Sequence, residues 1–181
     1  MLQYARRNAP GVPLIQADAR RFGIRMYFDA VLCTFDSLNH LLSEDDLLAC
    51  FLSVRSCLRP RGVFFFDLNT DHGYRSRWNG RREFRLHNNR VLTQASYDAR
   101  TQRARFHVRI EHAGERAEGS DEVVLWQRCH DYTAVQSALQ RAGLSVTDTL
   151  GLEDGMLVSG SMEQAERLFY ICERAPNARG G

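Results

Sequence analysis

The sequence predicts an α/β fold in two styles: a parallel sheet with crossover helices up to about Thr70, then an antiparallel excursion, then a closing helix and strands. Three observations carry this. The runs "VPLIQAD", "FDAVLCTF" and "GVFFFDLNT" are nearly all apolar, as strands covered on both faces are. A capped helix separates the second run from the third, which is the rhythm of a crossover connection. From Glu83 to about Asp131 the pattern switches to alternation, the mark of half-buried antiparallel strands.

Taken in order, Met1 to Asn8 reads as a short helix with Arg6 and Arg7 near its C-terminal end, where cations suit the helix dipole, and with Gly11 and Pro13 after it. "VPLIQAD" then gives a strand ending on Asp18, and Phe28 to Phe35 a second. In "SEDDLLACFLSVRSCLRPRG", Ser43 and Asp46 form a capping box. Leu47, Phe51, Val54 and Leu58 follow at helical spacing, and Pro60 and Gly62 stop the helix. The third strand ends on Asp67.

In "RARFHVRIEH", Ala104, Phe106, Val108 and Ile110 share one face and the charged residues the other. "RVLTQASYD" and "DEVVLWQRC" extend the meander, with turns near Asn88-Asn89, Ala99-Arg100 and Glu115 to Ser120. "DYTAVQSALQRAGL" reads as a helix stopped by Gly143, followed by strands at Ser145 to Leu150 and "RLFYICER"; "RAPNARGG" reads as a tail. Trp126 and Tyr132 are expected in the core.

The 181 residues suit one domain, and no apolar run is long enough to span a bilayer. A cytoplasmic location is expected, because five widely spaced cysteines without a CxxC pair suit buried free thiols in a reducing compartment. All 24 basic residues are arginine, so no Schiff-base or P-loop lysine can act here. A formal net charge of +2 gives nucleic-acid binding no global support, and no histidine-carboxylate motif supports a metal site.

Three apolar runs end on short polar groups: Asp18, then "TFDSLN" from Thr34 to Asn39, then Asp67 with Asn69. In an open parallel sheet such groups converge on one crevice outside the strand ends. Asp36, His40, Asp67 and Asn69 can bind a ligand there or simply cap and support their turns and loops.

The order "ML..AR", "V.LIQAD.R.F", "FDAVLCTFDSLNHL", capped helix, "LRPRGVFFFDLNT", antiparallel excursion, "L.RAGL", "ERLFYICER" resembles the class I S-adenosylmethionine-dependent methyltransferases over nearly the whole chain. More narrowly it is similar to small-molecule members that insert antiparallel strands. The resemblance implies a Rossmann-like sheet lacking its first two strands. It implies one incomplete domain over 1–181, with 71–131 an inserted meander and lid. In the family a glycine-rich loop and an acid after the second strand precede the helix that Met1 to Asn8 resembles; this chain has no GxG and no acid before Asp18. The expectation is therefore an N-terminally truncated enzyme read from an internal methionine.

The resemblance further implies S-adenosylmethionine as cofactor. Asp18 matches the acid facing the adenine amino group, Ala19 its neighbour, and Thr34 and Phe35 the lining of the sulfonium region. It implies methyl transfer to nitrogen or oxygen of a small molecule, with His40 catalytic and Asp36, Asn39, Asp67, Asn69, Tyr74 and Trp78 toward the acceptor. Tyr74 and Trp78 would close a lid whose Arg75 and Arg77 meet an acidic group. Family members often dimerise, and the antiparallel excursion offers a surface. The alternative is a non-catalytic remnant or association module.

Overall fold

The computed structural model describes residues 2–112, 119–159 and 162–175. Helix α1 (Leu2–Asn8) buries none of its residues. Strand β1 (Phe28–Cys33) leads through a 3-10 turn, Ser37–His40, to helix α2 (Glu44–Cys57). The predicted cap is there: Ser43 Oγ accepts the Asp46 amide at 3.0 Å, with Glu44, Asp45 and Asp46 in the first turn. Leu47, Phe51 and Val54 are buried from this helix, which ends at Cys57 and leaves Leu58 to open strand β2 (Leu58–Asn69).

Helix α3 (Asp71–Arg77) follows, capped by Thr70, whose side chain accepts from the Gly73 amide. The antiparallel sheet is β3 (Gly80–Leu86), β4 (Asn89–Asp98), β5 (Arg103–His112) and β6 (Gly119–Arg128), paired in that order. Helix α4 (Tyr132–Ala142) stops at Gly143, whose φ of 73° is the left-handed conformation that glycine adopts without strain. Strands β7 (Leu144–Glu153), β8 (Met156–Ser159) and β9 (Arg167–Arg174) complete the chain.

The main sheet runs β1-β2-β9-β7-β8. Only β1 and β2 are parallel; the pairs β2–β9, β9–β7 and β7–β8 are antiparallel, so the sheet is mixed rather than parallel throughout. Its core is aromatic. Phe64 stacks on Phe66 at 4.8 Å and Phe66 on Tyr170 at 4.7 Å, with Phe51 of α2 against both phenylalanines.

Three expectations are corrected. "VPLIQAD" forms no strand: Val12 and Ile15 are exposed, and an apolar run without a partner to pair with has no ladder to join. Strand β1 is not covered on both faces, since Ala30 and Leu32, which share a face, are exposed. Trp126 lies exposed on β6 rather than in the core, while Tyr132 packs against it. Helix α3 and strand β8 were not anticipated. Most of the predicted Glu115 to Ser120 turn, and the tail after Ala175, lie outside the described residues. All five cysteines are free, and all but Cys33 are buried. Among the described residues no helix is long and apolar enough to cross a membrane.

Candidate active site

The parallel pair β1–β2 delivers two strand ends side by side, with Cys33 opposite Phe66. Just past β1, Phe35 and Asp36 take φ values of 61° and 49°, a left-handed pair unusual for residues other than glycine. The corner is held from β2: the Asp36 amide donates to Asp67 Oδ2 at 2.9 Å. Arg167, at the start of β9 and opposite Asn69, completes it. Its Nη1 donates to Asp67 Oδ2 at 2.7 Å and its Nη2 to Asp36 Oδ1 at 3.1 Å. Asp67 is fully buried. Burial pushes its carboxyl above the ordinary range, against the pull of the Asp36 amide and Arg167. Its Oδ1 has no hydrogen-bond partner among the described residues.

The antiparallel sheet docks on this corner through three successive residues of β6. The Trp126 carbonyl meets His40 Nδ1 at 3.0 Å, and the Arg128 carbonyl accepts from Asn39 Nδ2 at 2.8 Å. Between them Gln127 Nε2 donates to Asp36 Oδ2 at 2.6 Å and stands 3.1 Å from His40 Nε2, while its Oε1 accepts from the Tyr74 hydroxyl at 2.7 Å. Burial raises the Tyr74 phenol well above its usual range, so it stays a donor.

Two cavities adjoin. One, of about 270 Å³, is lined by Asp36, Asn69, Gly73, Glu166, Arg167 and Phe169 among others. A second, of about 480 Å³, lies between Trp78 and the antiparallel sheet, with Phe84, Val91, Phe106 and Val108 as apolar walls and Arg82 beside them. Arg77 and Trp78 line both. Arg77 is paired with Glu166, and Arg75 with Asp71. Gly73 lets α3 lie against the Glu166 backbone, since a Cβ there would overlap the Glu166 carbonyl.

Comparison with known proteins bears on this arrangement. Residues 1–66 match the family model described as a methyltransferase domain. The chain is 34% identical over 74 residues to YqeM of Bacillus subtilis (strain 168), a protein that bears the name of a methyltransferase; this is 39% of the chain and 30% of YqeM. It thus spans less than a third of that curated relative. A methyltransferase structure from Clostridium acetobutylicum ATCC 824, described as S-adenosylmethionine-dependent, superposes with a TM-score of 0.77 at 18% identity, covering 96% of this chain and 69% of that one. DesVI of Streptomyces venezuelae gives 0.72 at 22% identity, covering 97% and 70%. KedS8 from Streptoalloteichus sp ATCC 53650, a sugar N-methyltransferase, gives 0.74 at 18%, covering 96% and 66%.

The fold is that of a class I S-adenosylmethionine-dependent methyltransferase. The resemblance read from the sequence is borne out for the fold, and residues 1–66 carry the match to the methyltransferase domain.

Within the methyltransferase fold, the expected site residues divide into two groups. Asp18 and Ala19 sit in an exposed turn, where Asp18 is held by Arg20, which also reaches Asp46 of α2. Hydrogen bonds from the Arg20 side chain and amide keep the Asp18 carboxyl at about 2, so it stays an ionised acceptor, with 37% of its side chain exposed. Thr34, and Phe35 at 83% exposed, lie at the end of β1. No hydrogen bond joins the Asp18 turn to the Asp36 corner among the described residues.

Of the acceptor group, Asp36, Asn69 and Trp78 line the smaller cavity. Asn39 does not: it is fully buried, with its Nδ2 spent on Arg128 and its Oδ1 accepting the Asn69 amide at 3.0 Å. Tyr74 is likewise buried, acting on the site through Gln127 rather than closing a lid. Asp67 reaches the cavity only through Arg167 and Asp36. Sequence reasoning missed Arg167 and Gln127. Gln127 carried a signal, being polar at a position whose β6 neighbours on the same face, Val123 and Leu125, are apolar.

Proposed function

We propose that this chain transfers a methyl group from S-adenosylmethionine to nitrogen or oxygen of a small molecule. The observation that carries the reading is the cavity at the carboxyl end of β1 and β2, where Asp36 and Arg167 face open volume beside the left-handed Phe35–Asp36 corner. The bound cofactor supplies an activated methyl group, so what remains for the protein is alignment and exclusion of water. Asp18 and Ala19 would hold the adenine, and Thr34 and Phe35 would border the sulfonium. Asp36 and Asn69 hold the acceptor, Trp78 covers it, and His40 takes its proton. The likeness to KedS8, a sugar N-methyltransferase, supports nitrogen as the receiving atom.

The test is methyl transfer from labelled S-adenosylmethionine to a panel of small primary amines and alcohols. The wild-type chain is expected to form product, and His40→Gln to lower kcat by at least about tenfold. Transfer unaffected by His40→Gln and by Asp36→Asn would remove this site from the reaction. The non-catalytic association reading draws on the edge of β1, which is unpaired among the described residues and exposes Leu32. A second copy of the chain is the proposed partner of the antiparallel sheet, where Val123 to Trp126 form an exposed apolar run; light scattering reads the dimer directly.

A further inference from the structure

We infer that Gln127 is a positioning residue that fixes the proton of His40 on Nδ1 and aims the Nε2 lone pair of that ring at the Asp36 corner. Gln127 is 2% exposed, so both ends of its amide need partners inside the protein. An ionised carboxylate only accepts, so the amide end 2.6 Å from Asp36 Oδ2 is the NH₂ group. Its carbonyl then faces the Tyr74 hydroxyl, which donates at 2.7 Å. One Gln127 hydrogen is spent on Asp36. The other points at His40 Nε2, 3.1 Å away, which must therefore present its lone pair. The ring proton is left on Nδ1, and the Trp126 carbonyl, 3.0 Å distant, is there to accept it.

Tyr74, Gln127, His40 and the Trp126 carbonyl thus form one directed relay, in which a buried phenol on α3 sets the tautomer of a histidine on the turn after β1. The same Gln127 donor steadies Asp36, which Arg167 holds from its other oxygen. For catalysis, a point that rests on the methyltransferase reading, the lone pair that takes the acceptor's proton is the one Gln127 covers. An acceptor N–H or O–H replaces the Gln127 N–H at Nε2 without any need to rearrange the ring. Gln127 is given no contact with the acceptor's reacting atom or the cofactor and works through His40.

The experiment is long-range ¹H–¹⁵N correlation on the full chain labelled with ¹⁵N-histidine, at about pH 8, where a reference imidazole is neutral. His40 signals are identified by their loss in His40→Gln. In the wild type, Nδ1 is expected in the protonated range and Nε2 in the unprotonated, hydrogen-bonded range. In Gln127→Met, which keeps the volume and removes the donor, Nε2 is expected to shift toward the unprotonated, unbonded value, with the signals of His107 and His112 unmoved. Should Gln127→Met fail to fold, Gln127→Leu removes the same donor and carries the same expectation. A wild-type Nε2 that is already protonated or averaged, or a His40 spectrum indifferent to the folded variant, would overturn the inference. Because this readout needs neither cofactor nor acceptor, an inactive chain with the expected spectrum would count against the methyltransferase reading and not against the relay. In an active chain, Gln127→Met is expected to lower kcat about tenfold or more, with KM for S-adenosylmethionine unchanged.

Discussion

Arg167 Nη1 lies 2.7 Å from Asp67 Oδ2, joining residues 100 apart in sequence across the β2–β9 pair. Asp67 has no solvent exposure, and Arg167 is its ionic partner. Removing the cation with Arg167→Met strands a buried carboxylate, a change that costs about 3–5 kcal/mol in comparable cases. The urea midpoint is expected to fall accordingly with an unchanged m-value, and Asp67→Asn in the same background to restore most of the loss. Additive losses in the double variant would show that the two residues act independently.

His130 predicts a dependence on pH. Its Nε2 donates to the Leu41 carbonyl at 2.9 Å, and burial holds its pKa down to about 4 from a reference value of 6.5. The unfolded chain therefore binds more protons than the folded one between those values, and stability rises with pH across that window. The contribution is complete above the unfolded value and is lost as pH falls through the folded one. It amounts to about 3 kcal/mol at the 1.36 kcal/mol per unit of linkage. His130→Gln keeps a donor but does not titrate, and its stability curve is expected to be flatter between about pH 6.5 and pH 4. Equal slopes in the two proteins would contradict the assignment.

Gly73 is required by contact rather than by conformation, because a Cβ there would meet the Glu166 backbone. Gly73→Ala is expected to push α3 off that backbone, at a cost of about 1–3 kcal/mol. It should also weaken the Arg77–Glu166 pair that lines the smaller cavity. A melting temperature equal to that of the wild type would mean that α3 shifts freely.

Asp18→Ala is expected to raise the dissociation constant of S-adenosylhomocysteine by about tenfold or more, as loss of a charge-assisted hydrogen bond implies. Arg20→Met is the control, since it removes the Asp18–Arg20–Asp46 bridge while leaving the carboxylate. If both variants lose affinity equally, Asp18 acts by holding its turn.

The parts of the fold legible in the sequence were those specified locally. The Ser43–Asp46 cap and the spacing of Leu47, Phe51 and Val54 marked α2, and the alternation of Ala104, Phe106 and Val108 marked β5. "VPLIQAD" misled because apolar composition does not supply a neighbouring strand. Strand β8 was missed although Asp154 and Gly155, with φ of 45° and 81°, make the Asp-Gly turn that announces a hairpin. The site was half legible. Asp36 and His40 stood at a strand end, but Arg167 lies 131 residues from Asp36 and Gln127 lies 91, distances at which no local pattern reports contact.

The most direct test of the account is a thermal melt of the 181-residue chain with and without millimolar S-adenosylhomocysteine. A ligand that binds only the folded state raises the midpoint. A cooperative transition that moves upward with ligand, and moves less in Asp18→Ala, is the predicted result. A cooperative transition indifferent to the ligand would contradict the claim that these strand ends hold the cofactor.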